Sequence, residues 1–339
     1  MPKKKKIAVY AATGCRACEQ AILDIHYQVG SLTRWAELSF WPYILGSEWE
    51  KLEKQPEIDV CFFTGAIRTS SDRQAALRLR DKSRLMIALG ACAAFGGLPG
   101  LVNLAPSEVM KESRKETNAP KSRAREKGEE PDLPQMEARV SALSQLVDVD
   151  YFVPGCPPRQ NFLWAAIQAI AFETESPVRL SFSALRLPQA MAQAITSGVL
   201  PPKGSVFSGG RAVCASCSRT KEEKQFKRFF RPWQKNPEQG RCILEQGFLC
   251  QGIVTREGCG GVCTAAGLPC RGCFGKTDEV FDPGPKMISA ISSNLDSDDP
   301  VEIAAAFDPL VDLAGTVYRY TLAAECTLLS SLQGNECGE

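Results

Sequence analysis

The sequence predicts a doubly wound, parallel α/β sheet followed by a smaller, cysteine-rich domain dominated by loops. Short apolar runs alternate with segments of helical periodicity over the first half of the chain. Glycine and cysteine become too dense for regular structure after residue 214. The 339 residues are 44% hydrophobic, enough to bury one sizeable core and support a smaller second domain. We place the two domains at 1–187 and 188–339.

Four apolar runs of strand length lie in the first half, and each is followed closely by glycine or proline. They span residues 6–11, 58–63, 85–89 and 149–153. Apolar residues at helical spacing predict helices over 19–29 and 161–172. Strands that alternate with helices indicate a parallel sheet, in which ligands bind outside the carboxyl ends of the strands.

Two further segments lie outside these elements. Residues 111–134 carry many charges and few hydrophobic side chains, which favours a solvated surface loop or a flexible segment. Residues 188–201 have the composition of a linker toward the second domain.

Composition argues against several classes of protein. The net charge is +1 at pH 7, which disfavours nucleic-acid binding through a whole-surface basic field. No stretch approaches 18 consecutive apolar residues, so we expect no membrane span, and no apolar signal segment is visible. Because the cytosol keeps thiols reduced, the 15 cysteines are better explained as metal ligands than as disulfides. We therefore expect a cytoplasmic protein without nucleic-acid or membrane partners.

Twelve of the cysteines fall into two groups that suit iron-sulfur clusters. The first group consists of Cys15, Cys18, Cys92 and Cys156, which follow predicted strands and should converge on one sheet edge. The second consists of Cys214, Cys217, Cys242, Cys250, Cys259, Cys263, Cys270 and Cys273. Four thiolates hold one 4Fe-4S cluster, so twelve can hold three.

The alternative for the second group is a pair of zinc ribbons, each with four tetrahedral thiolates. The first group argues against zinc, because ribbons close over short spacings whereas these four cysteines are far apart in sequence. Three cysteines remain outside the groups, and we interpret Cys61, Cys326 and Cys337 as buried or surface thiols.

The motifs around the cysteines resemble those of the small, electron-transferring subunits of nickel-iron hydrogenases. They are CxxCE at 15–19, GxCxxxGGxPG at 90–100 and PGCPP at 154–158, and the resemblance covers nearly the whole chain. Periplasmic members have histidine in place of Cys214 and can have proline at one medial ligand. Cysteines at 214 and 263 instead are similar to the cytoplasmic, methyl-viologen-reducing type found with heterodisulfide reductase.

This resemblance implies a flavodoxin-like first domain and three 4Fe-4S clusters. The proximal cluster, nearest the nickel-iron site of a large subunit, would take Cys15, Cys18, Cys92 and Cys156. The medial cluster would take Cys259, Cys263, Cys270 and Cys273, and the distal cluster would take Cys214, Cys217, Cys242 and Cys250. Spacing supports only the CxxC pairs Cys214–Cys217 and Cys270–Cys273. The assignment of the other four cysteines follows family order: Cys242, Cys250, Cys259 and Cys263. The implied partners are the large subunit, a small iron-sulfur electron-transfer subunit and a heterodisulfide reductase-like flavoprotein.

One departure from the family leaves a second hypothesis open. Many relatives carry a glutamate before the glycine that ends the second predicted strand, where this chain has Thr64 before Gly65. The chain could therefore serve a hydrogenase-derived complex that no longer oxidises hydrogen. The related subunit of respiratory complex I is disfavoured, because it pairs adjacent cysteines at the first ligand position and lacks the eight-cysteine domain.

Two weaker signals lie outside the cysteines. Glu19 follows Cys18 and could tune a cluster or relay protons, or simply favour the start of a helix. Between residues 219 and 235, basic residues are interleaved with Phe226, Phe229, Phe230 and Trp233. We interpret this basic segment as a docking face for an electron acceptor, with single-stranded nucleic acid as the alternative.

Overall fold

The computed structural model describes residues 4–25, 36–54, 57–105, 134–171, 200–222 and 226–325. Most of the predicted charged insertion and linker lies outside these ranges, as do Cys326 and Cys337.

A six-stranded parallel sheet forms the centre of the first half. Its strands are β1 (Lys5–Ala11), β2 (Ala36–Phe40), β3 (Ile58–Thr64), β5 (Ser83–Leu89), β7 (Tyr151–Val153) and β8 (Ser205–Val206). Their order across the sheet is β2-β1-β3-β5-β7-β8, and every pair is parallel. This is the flavodoxin-like strand order with one strand added at the β8 edge. The order in which strands are added to the sheet reverses between β1 and β3, which makes that position the topological switch point. The predicted fold class is confirmed.

Helices cover both faces of this sheet. They are α1 (Ala17–Leu23), α2 (Pro42–Leu45), α3 (Trp49–Glu53), α4 (Ser70–Lys82), α5 (Gly90–Phe95) and α6 (Gln160–Ala171). Side chains of one strand alternate between two buried clusters, so Phe62 packs with α1 and α6 whereas Phe63 packs with α4 and α5. Two short strands, β4 (Ile67–Thr69) and β6 (Met136–Ser141), form a separate antiparallel ladder.

The described part of the second half has loops and one short α-helix around the eight cysteines, and three further α-helices after them. The helices are α7 (Val262–Ala265), α8 (Pro283–Ser292), α9 (Pro300–Phe307) and α10 (Leu313–Val317). Asp282, Asp299 and Asp312 cap the last three by accepting backbone N–H hydrogen bonds. The prediction of a loop-rich region therefore holds around the cysteines and is wrong for α8 to α10.

Several contacts join the two halves. Phe162 of α6 meets Phe274 edge to face, with ring centroids 5.2 Å apart. A turn at 320–323 lies against the loop after α5, where Gly97 N–H donates to the Tyr320 carbonyl across 3.1 Å. Gln145 Nε2 donates to the Ala323 carbonyl of the same turn across 2.8 Å. The cysteines of both halves are thereby brought toward one region.

Candidate metal centres

The first cysteine group lies at the carboxyl end of the sheet. Cys15 follows β1, Cys18 lies in the first turn of α1, Cys92 lies in α5 directly after β5, and Cys156 follows β7. The Ala91 N–H donates to the Gly155 carbonyl across 2.7 Å and ties the last two loops together. The expected convergence of these loops is observed.

Two glycines leave room for the sulfurs of this group. Gly90 has φ +86°, and a Cβ there would lie 2.2 Å from Cys18 Sγ. Gly97 has φ +57°, and a Cβ there would lie 2.5 Å from Cys92 Sγ. Both positions thus require glycine for backbone conformation and for space.

The four thiols of the first group interact electrostatically with one another. Burial raises the pKa of Cys18, and negative charge on Cys92, Cys156 and Cys15 raises it further. Burial likewise raises the pKa of Cys92 to about 12, with contributions from Cys156 and Cys15. Four neighbouring sulfurs that repel one another as thiolates favour cationic metal between them, since metal binding stabilises the deprotonated form.

In the second group the electrostatic neighbours agree in part with the two sets of four that the resemblance implies, although Cys270 interacts more strongly with Cys250 than with Cys259. The pKa of Cys214 is raised to about 11, mainly by burial. Negative charge on Cys242 and Cys217 contributes to the rise. Burial raises the pKa of Cys250 to about 12, with smaller contributions from Cys214 and Cys242. These four cysteines are those that family order predicts together.

The remaining four form the other set. Burial raises the pKa of Cys273, and negative charge on Cys270, Cys259 and Cys263 raises it further. Burial also raises the pKa of Cys259, whose sulfur interacts with Cys263.

Two observations place cysteines of different sets next to one another. The Cys270 N–H donates to Cys250 Sγ across 3.3 Å. Cys18, Cys259 and Cys273 pack against the same hydrophobic cluster. Cysteines between 259 and 273 therefore neighbour cysteines of both other sets.

The donor sets suit metal clusters rather than disulfides. All thirteen cysteines of the described ranges are free thiols, including the fully buried Cys61 in the sheet. Within those ranges, no three Cys, His, Asp or Glu side chains lie close enough to hold a single metal ion. Four thiolates are the donors that a 4Fe-4S cluster takes, and each proposed set contains four cysteines.

Each set has one exposed cysteine. They are Cys15 in the first set, Cys263 in the middle set and Cys214 in the outermost set. All three sets, including both ends of the series, therefore reach the surface of the described chain.

Glu19 is buried beside the first set and has a fixed orientation. Trp41 Nε1 donates to its Oε1 across 2.6 Å. Its other oxygen lies 3.8 Å from Arg16 Nη1, and the Arg16 guanidinium lies 4.3 Å from the centre of the Tyr43 ring. Glu19 is thus a buried carboxyl group next to Cys18, and it also lies in the first turn of α1, so both interpretations of the sequence stay open.

Two residues near the cysteines had no signal in the sequence analysis. Tyr320 lies in the turn whose backbone contacts the loop after α5, and its side chain interacts electrostatically with Cys156. Burial raises the pKa of Tyr320, and negative charge on Cys156 and Cys273 raises it further. Arg159 donates from Nη1 to the Cys259 carbonyl across 3.1 Å. Arg159 directly follows the PGCPP motif and could have been noticed, whereas Tyr320 arrives by tertiary folding.

The basic segment is only partly a surface. Phe226 and Phe229 are buried, and Phe229 packs edge to face on Phe307 of α9. Trp233 is 79% exposed. The aromatic residues of this segment therefore serve mainly the core, and the proposed docking face is reduced to Trp233 and the surrounding cations. Lys224 lies outside the described residues.

None of the helices in the described ranges combines the length and apolar character needed to cross a bilayer.

Comparison with known proteins identifies relatives over the full chain. One subunit of the F420-non-reducing hydrogenase of Methanothermobacter thermautotrophicus is 33% identical over 332 residues, which are 96% of each chain. The subunit of the same name in Methanococcus voltae is 31% identical over 324 residues, covering 96% of this chain and 97% of that one. In Archaeoglobus profundus the relative is named an iron-sulfur subunit of F420-non-reducing hydrogenase, and it is 28% identical over 94% of this chain and 96% of that one.

A family model and a solved structure match parts of the chain. The model described as NADH ubiquinone oxidoreductase, 20 Kd subunit, matches residues 15–170. A chain of NAD+-reducing NiFe hydrogenase in the H2-reduced state is 26% identical, with a TM-score of 0.44 over 54% of this chain and 99% of that one.

Full-length identity above 30% decides the family, and it agrees with the cysteine motifs that carry the resemblance. The chain belongs to the small-subunit family of nickel-iron hydrogenases, in the branch that contains these relatives from F420-non-reducing hydrogenases, and the active site of such an enzyme lies in a partner chain.

Proposed function

We propose that this chain relays electrons, one at a time, from a nickel-iron site in a hydrogenase large subunit through three 4Fe-4S clusters to a redox partner. Dihydrogen would be oxidised in the large subunit to two protons and two electrons. The acceptor would be a heterodisulfide reductase-type flavoprotein, reached through a small iron-sulfur subunit in the cytoplasm.

The observation that supports this proposal is the proximity of cysteines from the three proposed sets. Each proposed set has four sulfurs, which is the number of protein ligands that a 4Fe-4S cluster takes. The Cys270 N–H donates to Cys250 Sγ, and Cys18, Cys259 and Cys273 pack against one hydrophobic cluster. Sets that neighbour one another in series are the arrangement expected of a chain of one-electron carriers.

The proposed ligands follow from this ordering. Cys15, Cys18, Cys92 and Cys156 would hold the proximal cluster; Cys259, Cys263, Cys270 and Cys273 the medial cluster; and Cys214, Cys217, Cys242 and Cys250 the distal cluster. The exposed Cys15 end would face the large subunit, and the exposed Cys214 end would face the acceptor.

The role of the protein is to place the clusters and set their surroundings. Burial of Cys250 and Cys270 keeps water away from the place where the proposed medial and distal sets meet. Iron-sulfur clusters supply the electron-carrying chemistry, whereas the chain sets burial, hydrogen bonding and local charge around them.

Metal analysis of anaerobically purified protein tests the proposal. We expect about twelve iron atoms and about twelve acid-labile sulfides per chain, since each of three clusters contributes four of each. Stoichiometric zinc with little iron would contradict the proposal and favour the zinc-ribbon interpretation of the second group.

The second candidate is an equivalent relay subunit in a hydrogenase-derived complex that does not oxidise hydrogen. Thr64 favours it, because this buried residue stands where many relatives have glutamate, and a lost carboxylate alters the charge near the proximal set. Nickel in the co-purified large subunit, and reduction of the chain by dihydrogen, separate the two candidates. A nickel-free complex that hydrogen does not reduce would establish the second one.

A further inference from the structure

The short helix α2 presents three exposed, mainly apolar side chains near the carboxyl end of the sheet. Tyr43 is 64% exposed, and Ile44 and Leu45 that follow it are exposed as well. None of the four residues of α2 is buried, although Trp41 directly before the helix belongs to the core. Soluble monomers rarely expose neighbouring apolar side chains in this way unless the surface binds a partner.

Arg16 joins this helix to the loop of the first cysteine set. Arg16 follows the exposed Cys15, and its guanidinium lies 4.3 Å from the centre of the Tyr43 ring. Its Nη1 lies 3.8 Å from Oε2 of Glu19, a residue only 2% exposed. Trp41 Nε1 donates to the other Glu19 oxygen across 2.6 Å and fixes the carboxyl group. The exposed helix and the Cys15 loop therefore form one surface.

The backbone of Arg16 has an unusual conformation. At φ 60° and ψ 8°, Arg16 is the one non-glycine residue of the described ranges with a positive φ. This conformation is unfavourable for a residue with a Cβ, and such residues are concentrated at functional sites and ligand clamps. The Arg16 side chain nevertheless stays 49% exposed.

The Arg16 guanidinium has donors available for a partner. It carries five N–H groups in one plane, and the 3.8 Å contact with Glu19 is too long for a hydrogen bond. Among the described residues we find no acceptor for these donors. Because Glu19 Oε2 is buried, a partner can reach the guanidinium but not this oxygen. An arginine supported by an aromatic ring and a fixed carboxyl group is preorganised to bind a second carboxylate through two parallel hydrogen bonds.

We propose that Arg16, Tyr43, Ile44 and Leu45 form the docking surface for the chain that carries the active site, and that Arg16 binds a carboxylate of that chain. The inference rests on the proposed function, since it places the catalytic partner at the Cys15 end of the series. Tyrosine and arginine are enriched among the residues that dominate binding energy, and apolar neighbours exclude water around them. The complementary surface is therefore apolar, with one acidic side chain opposite Arg16.

Dilution of the purified complex, followed by sedimentation analysis, tests the inference. Arg16→Gln removes the charge, and Tyr43→Ser removes the ring. We expect each substitution to raise the Kd for the catalytic chain about thirtyfold or more, as truncation of a dominant interface residue does. In the complex of Arg16→Lys, a carbodiimide should couple the new amine to the facing carboxylate, and mass spectrometry of the coupled peptides should place that carboxylate in the catalytic chain.

Arg231→Gln and Trp233→Ser are the matched controls. Arg231 lies 5.8 Å from the centre of the exposed Trp233 ring, so the same two kinds of side chain are paired on the second half. These variants should bind the catalytic chain with wild-type Kd. All variants should keep full iron content. If Arg16→Gln loses iron because it neighbours Cys15, Tyr43→Ser and Ile44→Ser carry the test.

The outcomes separate this inference from the proposed function. A wild-type Kd in Tyr43→Ser and Ile44→Ser with full iron, or an equal rise of Kd in the controls, would overturn the inference. Self-association of the wild-type chain that Tyr43→Ser abolishes would also overturn it, since the occupant would be a second copy. A wild-type chain that binds no hydrogenase catalytic chain would instead overturn the proposed function.

Discussion

The backbone N–H of Cys270 donates a hydrogen bond to the sulfur of Cys250 across 3.3 Å. Cys270 is assigned to the proposed middle set of thiols and Cys250 to the proposed outermost set. One hydrogen bond, from the backbone of Cys270, therefore links the two proposed sets. Burial raises the pKa of both thiols to about 12. Both cysteines at this junction are therefore buried. A substitution meant to remove only the distal cluster should be made at another ligand of the outermost set, so that the junction is not disturbed.

Cys217→Ala should remove the distal cluster alone. Cys217 interacts electrostatically with Cys214, and its sulfur lies 3.3 Å from the Thr264 hydroxyl. Iron should fall from about twelve to about eight atoms per chain. Hydrogen isotope exchange at the large subunit should persist, whereas reduction of the physiological acceptor should stop. Unimpaired reduction of that acceptor would show that electrons leave elsewhere.

Cys61→Ala is the control for this experiment, because Cys61 is a buried thiol of β3 outside the three sets. It should retain the full iron content and the transfer rate. Loss of one cluster from this variant would contradict the assignment of the twelve ligands.

Gly90→Ala should prevent assembly of the proximal cluster. A Cβ there would lie 2.2 Å from Cys18 Sγ, and φ +86° is unfavourable for alanine. We expect about eight iron atoms per chain instead of about twelve, with the medial and distal signals intact. Gly210→Ala is the control, because a Cβ at that position meets nothing within 4 Å. Full iron in both variants would contradict the proposed proximal site.

The buried strands and the cysteine groups could be predicted from the sequence, but the edge strands of the sheet and the contacts between the cysteine sets could not. β3 and β5 were predictable because strands buried on both faces read as continuous apolar runs. β2 and β8 lie at the two edges, where polar residues and short length weaken that signal. The cysteine groups follow from local motifs, whereas the contacts of Tyr320 and Cys270 depend on how distant segments pack.

The helices after the cysteines could have been recognised. Asp-Pro pairs at 282–283 and 299–300 combine an N-cap residue with a proline in the first turn. The density of glycine and cysteine before them led to the expectation of loops throughout. In the basic segment, alternation of Phe and charge indicated a surface, but Phe226 and Phe229 complete the core against α8 and α9.

Asp150 should make stability depend on pH in the acid range. Burial alone would raise its pKa, but hydrogen bonds from Lys203, Arg80 and the Met86 N–H outweigh burial and hold the pKa below its ordinary value. Because the folded pKa lies below the unfolded one, this stabilisation is complete above the unfolded pKa, about 4, and is lost as pH falls through the folded pKa.

The measurement is the difference in thermal midpoint between wild type and Asp150→Asn from about pH 7 down to about pH 3, a range that spans the ordinary pKa of aspartate. The variant should be less stable by about 1 to 3 kcal/mol near neutral pH, where hydrogen bonds to a charged group are lost. The difference should narrow in the acid part of the range. A difference that grows on acidification would show that another group dominates.

Charge reversal in the basic segment should slow association with the electron acceptor. Lys227 and Arg228 are exposed between buried phenylalanines, so Lys227→Glu with Arg228→Glu changes charge without altering the core. We expect a lower association rate at low salt, because surface charges mainly steer encounter. The defect should shrink as salt rises, since screening acts within about 8 Å at physiological ionic strength.

The control carries the same charge change on the first half, with Lys51→Glu on α3 and Arg73→Glu on α4. Both variants should keep full iron content. Equal association rates for all three proteins at low salt would show that the basic segment is a solvated surface, and would direct the search to the loops around Cys242 and Cys250.

The pairing of β8 with β7 has a consequence for the synthesis of this protein. Tyr151 and Phe152 pair with Ser205 and Val206, so the last strand of the sheet is contributed by residues beyond the predicted boundary at 187. A nascent chain that ends at 187 leaves the edge of β7 with unpaired backbone groups, which are prone to pair with other chains. Completion of the sheet, and with it a stable setting for Cys156, must therefore wait until the ribosome has translated into the second half.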